Sequence, residues 1–330
     1  MEQKVLRVST WVIVCALLLR LLSGGEFGTV LGRIITPEAA SWMLFLQTGR
    51  LIRPTQISFT PEPTEPPPET TPLPAVTEPQ TVLTFAPEAA EAIDINCSFQ
   101  YSANLAELVS QPLDWDLTGD KPTVLILHSH ATESFAPTGE YLSSAAYRTQ
   151  DTAQNMVSVG AYVAELLEAG GISVLHDRTL HDSPSYDAAY TNSRATAQSY
   201  LEAFPSIKLV LDLHRDYYED ENGNQIVRTV FSQGQTLAPL MFVVGTDYGG
   251  YTHPNWQENL ALALKLQTQI EELCPGICRS VNLRSQRFNQ DLSTGALLVE
   301  VGASSNTHEQ ALLSAELLAE AILSLAHGSR

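Results

Sequence analysis

The chain has 330 residues, 44% of them hydrophobic, enough for one large domain or two ordinary ones with a packed core. Its 18 basic residues stand against 37 acidic ones, a net charge of −19, which excludes a nucleic-acid footprint built on clustered Lys and Arg. Four cysteines are too few for a disulfide scaffold at this length; Cys274 and Cys278 frame CPGIC, where a local disulfide and two ordinary thiols are both open.

The first elements follow from where the cations lie. Lys4, Arg7, Arg20, Arg33, Arg50 and Arg53 precede a stretch with no Lys or Arg until Lys121. Residues 8–22, VSTWVIVCALLLRLL, are apolar apart from Ser9, Thr10 and Arg20, short of the roughly 20 residues of an ordinary membrane span. A retained signal anchor, a cleaved signal peptide and an amphipathic surface helix compete. Ser23-Gly24-Gly25 only loosely matches a cleavage site, which favours the anchor. Lys4 and Arg7 then put the N-terminus in the cytoplasm, the chain crosses the cell membrane once, and the remainder is extracytoplasmic.

An anchor and juxtamembrane region is therefore expected over 1–53. Residues 54–92 form a Pro/Glu/Thr-rich linker that cannot pack a core. A folded domain is expected over 93–330.

Within that domain strand and helix signals alternate, the pattern of a layered α/β fold. The expected elements are a strand at 123–128, a helix at 151–169, a strand at 172–176, and a helix at 183–204 with Ser183 as cap and Pro184 at its first position. A strand at 207–214 follows, then a hairpin turn at ENGN and apolar runs at 226–231 and 240–245. A helix at 256–273, a segment at 280–284, a strand at 297–301 and a helix at 307–326 complete the set.

Three apolar runs end in groups that can bind or serve a metal: VLILHSH on His128 and His130, LVLDLH on His214, LLVE on Glu300. Open α/β sheets build sites at the carboxyl ends of their strands. His130 and His214 suit the two imidazoles of a catalytic zinc, Zn2+, which keeps one position for water. His128, two residues before His130, can share its side of a strand and is read as a support for the ligands. The carboxylate ligand has two claimants. Glu133 completes H-x-x-E with His130, whereas Asp151 opens a helix and also heads D-T-A-Q, which resembles a capping box.

Glu300 places a carboxylate inside an apolar strand and needs a cation, a partner or a proton there. Beside zinc it suits a general base that activates water and then protonates a leaving amine. Arg215 is expected to hold a substrate carboxylate or polarise a carbonyl. Asp212, on the strand face of His214, can orient its imidazole, and Asp216 can hold Arg215.

The blocks ILHSHATESF, QDTAQNMVSVG, SYDAAYTNSR, LDLHRD, MFVVGTD, HPNWQENLALALKLQ, FNQDLSTGALLVEVG and SNTHEQAL, in this order over about 121–325, resemble the stage II sporulation protein P family. That resemblance implies a zinc-dependent peptidoglycan hydrolase of forespore engulfment, similar to type-3 N-acetylmuramoyl-L-alanine amidases and acting also on peptide cross-links. It implies a mixed sheet flanked by helices, and a complex with stage II sporulation proteins D and M. His130, His214 and Glu300 match the wider amidase pattern by position. There the acid falls four residues before a helical Asn, which makes Asp151, ahead of Asn155, its counterpart; Asp in place of Glu, and the nearby Glu133, depart from it. A zinc carboxypeptidase, with Arg215 clamping a terminal carboxylate, and a non-catalytic wall-binding module are the rival readings.

Overall fold

A computed structural model describes residues 84–113, 115–137 and 147–328. The anchor and most of the linker lie outside the described residues. Among those described, no helix is long and apolar enough to cross a membrane.

In chain order the elements are β1 (Ile95–Asn96), α1 (Leu105–Ser110), β2 (Val124–Leu127), α2 (Met156–Ala169), β3 (Val174–His176), α3 (Ala189–Ala203), β4 (Leu209–Asp216), β5 (Val230–Ser232), β6 (Gln235–Leu237), β7 (Leu240–Gly245), α4 (Trp256–Leu273), β8 (Val281–Arg284), β9 (Ala296–Ala303) and α5 (His308–Ala326). Seven strands form one mixed sheet in the order β1-β8-β7-β9-β4-β2-β3. Neighbours are parallel except β7 against β9, so β3, β2, β4 and β9 run one way and β7, β8 and β1 the other.

The central strands read as apolar runs because both sheet faces are covered. VLIL of β2 and LMFVVG of β7 are buried at every position. Val124, Ile126, Leu211, Leu213, Phe242 and Val299 join the main core with residues of α2, α4 and α5. Leu125, Leu127 and Val210 face the other way, against Ala197 of α3.

Local chemistry fixes the helix ends. The Asn155 side chain accepts from Val157 N–H and starts α2, and Gly171, at φ 85°, follows its end. The sequence places this start at Asp151, but Asp151 Oδ1 accepts from Ala153 N–H in a turn before the helix. Thr307 and Gln310 form a reciprocal capping box on α5. Ser183 does not cap α3: its Oγ accepts from Gln150 Nε2, and the helix begins at Ala189 after a 3-10 turn over Tyr186–Ala188.

One further expectation changes. ENGN forms a turn with a single bridge between Glu219 and Gln225, while the regular hairpin is β5–β6, turned by Gln233 and Gly234 at φ 49° and 80°. Cys274 and Cys278 are free thiols. The packed chain also starts before residue 93, since Phe85 is buried and the 3-10 helix Pro87–Ala92 puts Ala89 and Ala90 on the core.

Candidate active site

Strand register builds the centre of the site. His214 of β4 and Glu300 of β9 are cross-strand partners, and Met241 of β7 lies on the far side of Glu300. Asp212, two residues before His214, shares its face. The β4–β9 register slips between His214 and Asp216, an irregularity of the kind that re-aims side chains beside a site.

His130 arrives from the turn after β2. Glu133 N–H donates to His130 O, closing a turn that brings the Glu133 carboxylate back to the end of β4. The His130 and His214 rings lie 5.3 Å apart and nearly perpendicular. Glu133 Oε2 is 3.5 Å from His214 Nδ1, close to the separation of two ligands on one tetrahedral zinc with bonds of about 2.0–2.2 Å. Asp212 Oδ1 lies 2.9 Å from His214 Nε2 without hydrogen-bond alignment, and accepts from Ser129 N–H.

The electrostatics follow from burial and these pairings. Burial disfavours a charged His214, but Asp212 and Glu133 outweigh it and raise its pKa well above 6.5. Burial works against an ionised Glu133 as well, yet Arg215 and His214 hold its carboxyl down at about 2. His130 is driven to about 4 by burial and the nearby His214. Glu300 has the opposite fate: burial pushes it up to about 8, against the pull of His214, and its Oε2 is enclosed without a partner. Such a carboxyl needs a proton or a cation.

The sequence-derived candidates therefore divide. His130, His214, Glu133 and Glu300 come together at the carboxyl ends of the central strands. Asp151 is exposed, with Oδ1 engaged by Ala153 N–H. Arg215 is buried and spent within the chain: its backbone N–H and Nη1 donate to Glu133, Nε to Ser134 O, and Nη2 to Tyr147 O. It contacts Glu133 and, at 3% exposure, is shut off from solvent. Asp216 pairs with Arg279 rather than with Arg215. His128 directly follows Leu127, the register partner of Asp212, and so falls on the sheet face opposite His214, while the chain turns before His130. There Nδ1 donates to Leu213 O and Nε2 meets His176 Nε2 at 3.0 Å.

Four residues of the site carry no signal in a single sequence. Asp182 lies 4.0 Å from His130 Nδ1 and is held by Thr132 and Arg148. Arg148 also binds Glu133 at 3.2 Å. Tyr186 stacks on His130 at 4.2 Å, and Tyr190 meets it edge-on at 5.3 Å. Arg148 and Asp182 sit on connections, Tyr186 on the 3-10 turn and Tyr190 in the first turn of α3; only the folded chain brings them to the histidines.

Among the described residues, no three His, Cys, Asp or Glu side chains are drawn tightly enough around one point to hold a metal ion. The donor chemistry nonetheless fits zinc. Two imidazoles and a carboxylate adjoin, and His130 Nδ1 and Glu300 Oε2 are enclosed without hydrogen-bond partners.

Fold and site together define an α/β domain with a buried histidine–carboxylate centre at the carboxyl ends of its parallel strands. The chain belongs to the stage II sporulation protein P family, whose sequence model matches residues 72–323. It is 28% identical over 240 residues to stage II sporulation protein P of Bacillus subtilis (strain 168), covering 66% of this chain and 57% of that relative. The chain thus matches little more than half of the relative's length. Similar solved structures include the N-acetylmuramoyl-L-alanine amidases AmiC2 of Nostoc punctiforme, at 14% identity and TM-score 0.35 over 63% of this chain and 96% of that one, and Ami1 of Mycobacterium smegmatis, at 14% and 0.40 over 65% and 98%. The CwlD amidase of Clostridioides difficile, in complex with the GerS lipoprotein, is similar at 14% and 0.37 over 62% and 94%.

Proposed function

We propose that this chain is a peptidoglycan hydrolase of sporulation that cleaves the amide between N-acetylmuramic acid and L-alanine. Membership of the family supports the biological setting. The observation that carries the chemistry is Glu300, an enclosed carboxyl with a raised pKa in strand register with His214. His130, His214 and Glu133 would hold the zinc ion, with Asp151 as the other candidate for the third ligand. Zinc bound there would lower the pKa of water to about 7 and polarise the scissile carbonyl.

The chain's own groups account for the rest. Glu300 takes a proton from the attacking water and returns it to the leaving amine. Asp212 holds the His214 ring, and Arg215 with Arg148 holds Glu133 in place. Tyr186 and Tyr190 wall the histidines from bulk water on the α3 side.

Action on peptide cross-links, a complex with stage II sporulation proteins D and M, and anchoring by 1–53 with the domain extracytoplasmic belong to the same proposal. The rival carboxypeptidase needs Arg215 as a carboxylate clamp, and that guanidinium is buried against Glu133, Ser134 and Tyr147. Digestion of purified peptidoglycan is the test. Intact stem peptides freed from glycan, with loss of release on chelation, are expected. Release of single terminal amino acids instead would overturn the amidase reading, and wall binding with no product would leave a binding module.

A further inference from the structure

A cavity of about 400 Å3 opens beside the histidine pair, lined in part by Tyr190, Arg194, Tyr251, Arg287, Phe288 and Asn289. That volume lies in the range of sites for small ligands, about 300–1,000 Å3. Tyr190 is the shared wall, its ring 5.3 Å from His130 on one side and 5.6 Å from Phe288 on the other. A ligand in this cavity therefore lies one side chain away from the reacting centre.

The loop that closes the cavity is held in a costly shape. Phe288 has φ of 51°, a region that costs a bulky residue about 1–2 kcal/mol, and Asn289, a type that tolerates it, has φ of 59°. Asn289 Nδ2 donates to Tyr190 O and Ser193 Oγ, and Gln290 donates to Val243 O while accepting from Gly245 N–H. These bonds tie the loop to α3 and β7 and hold Phe288 against Tyr190. Strain kept by dedicated bonds beside a site is a pointer to ligand positioning.

The chemistry of the lining selects among ligands. Arg194 makes two 2.8 Å bonds to Asp291, and Arg287 lies 3.4 Å from the same carboxylate. The two guanidiniums thus share one carboxylate, which leaves this wall a single net positive charge. What remains is aromatic: the Tyr251 ring is 53% exposed, with the Arg287 guanidinium 5.5 Å from its centre. On the same loop Tyr248 is 60% exposed and stacks on Phe99 at 4.2 Å. Ring faces bordered by N–H edges and amides suit a ligand with apolar C–H faces, hydroxyls and an acetamido group.

We propose that this cavity is a saccharide subsite, holding an N-acetylhexosamine unit of the glycan strand next to the scissile amide, with Tyr251 as its stacking platform. The proposal rests on the amidase reading, but its test does not need turnover. Binding of a β-1,4-linked N-acetylglucosamine tetramer, which has no peptide to cleave, is measured by titration calorimetry on the full-length chain. Tyr251→Ala is expected to weaken that binding about tenfold, the loss of roughly 1.4 kcal/mol typical of a truncated aromatic anchor, while Tyr251→Phe retains it. No tetramer binding by the wild type, or undiminished binding by Tyr251→Ala, overturns the subsite. So does a free stem peptide that binds through Tyr251 while the tetramer does not. Tetramer binding through Tyr251 without release of stem peptides from wall leaves the subsite standing and removes the amidase reading.

Discussion

In the proposed mechanism Glu300 carries the proton, and burial makes its protonation the first thing to measure. In metal-free protein its pKa of about 8 against an ordinary 4.5 means that the folded state holds a proton the unfolded state releases. Between those values stability therefore falls as pH rises. Urea midpoints of chelated protein at pH 5 and pH 8 should show that fall, and Glu300→Gln should shrink it. Under zinc the same variant should lose about 10²- to 10⁴-fold in hydrolysis, the usual range for a general base, while retaining metal. Full activity in Glu300→Gln would remove this residue from the mechanism. The third ligand is decided by zinc content. Glu133→Gln should lose metal, because Glu133 Oε2 adjoins His214 Nδ1, whereas Asp151→Ala should keep it, its carboxylate being exposed and engaged in a turn. The reverse result would restore Asp151.

At the scale of elements, α2 and β2 meet at a point that tolerates no added atom. A Cβ on Gly160 would fall 2.5 Å from His128 Nε2 and 2.8 Å from His176 Nε2, groups that form a part-buried pair. Gly160→Ala should therefore destabilise the domain by about 1–3 kcal/mol, the cost of overpacking, despite the better helix propensity of Ala. Chemical denaturation measures this, and an unchanged or raised midpoint would show that the histidine pair can part freely. This junction also marks what the sequence can and cannot disclose. Apolar runs announce β2, β4, β7 and β9, because strands buried on both faces are largely apolar. His130, His214 and Glu300 are legible as polar groups ending or interrupting those runs. The starts of α2 and α3 are not, since Asp151 and Ser183 are good caps by type yet bond elsewhere. Arg215 follows His214 in sequence and invites a catalytic role, but the turn at Glu133 consumes it. Asp182, Arg148, Tyr186 and Tyr190 reach the histidines through tertiary packing alone. His128 reads as a companion of His130 only if the strand continues past Leu127, and it does not.

If the site holds zinc as proposed, the stability of the whole molecule is coupled to the metal. Without a cation, His214 is kept charged by Asp212 and Glu133, and Glu300 is kept neutral by burial, so the folded domain encloses polar atoms with no partners. A zinc ion would engage those groups only in the folded chain, since the unfolded chain separates residues 130, 214 and 300. Binding to the folded state alone stabilises it by about 2.7 kcal/mol at one hundred times the dissociation constant. For a domain of this size, at roughly 2–4 °C per kcal/mol, the thermal midpoint should rise about 5–10 °C. Calorimetric scans with and without zinc should show that rise in the wild type and in Glu300→Gln, which keeps the ligands. His130→Ala and His214→Ala should show almost none. A midpoint in the wild type that is indifferent to zinc and to chelator would mean that the two histidines hold no metal, and the proton chemistry of Glu300 would then need another cation beside it.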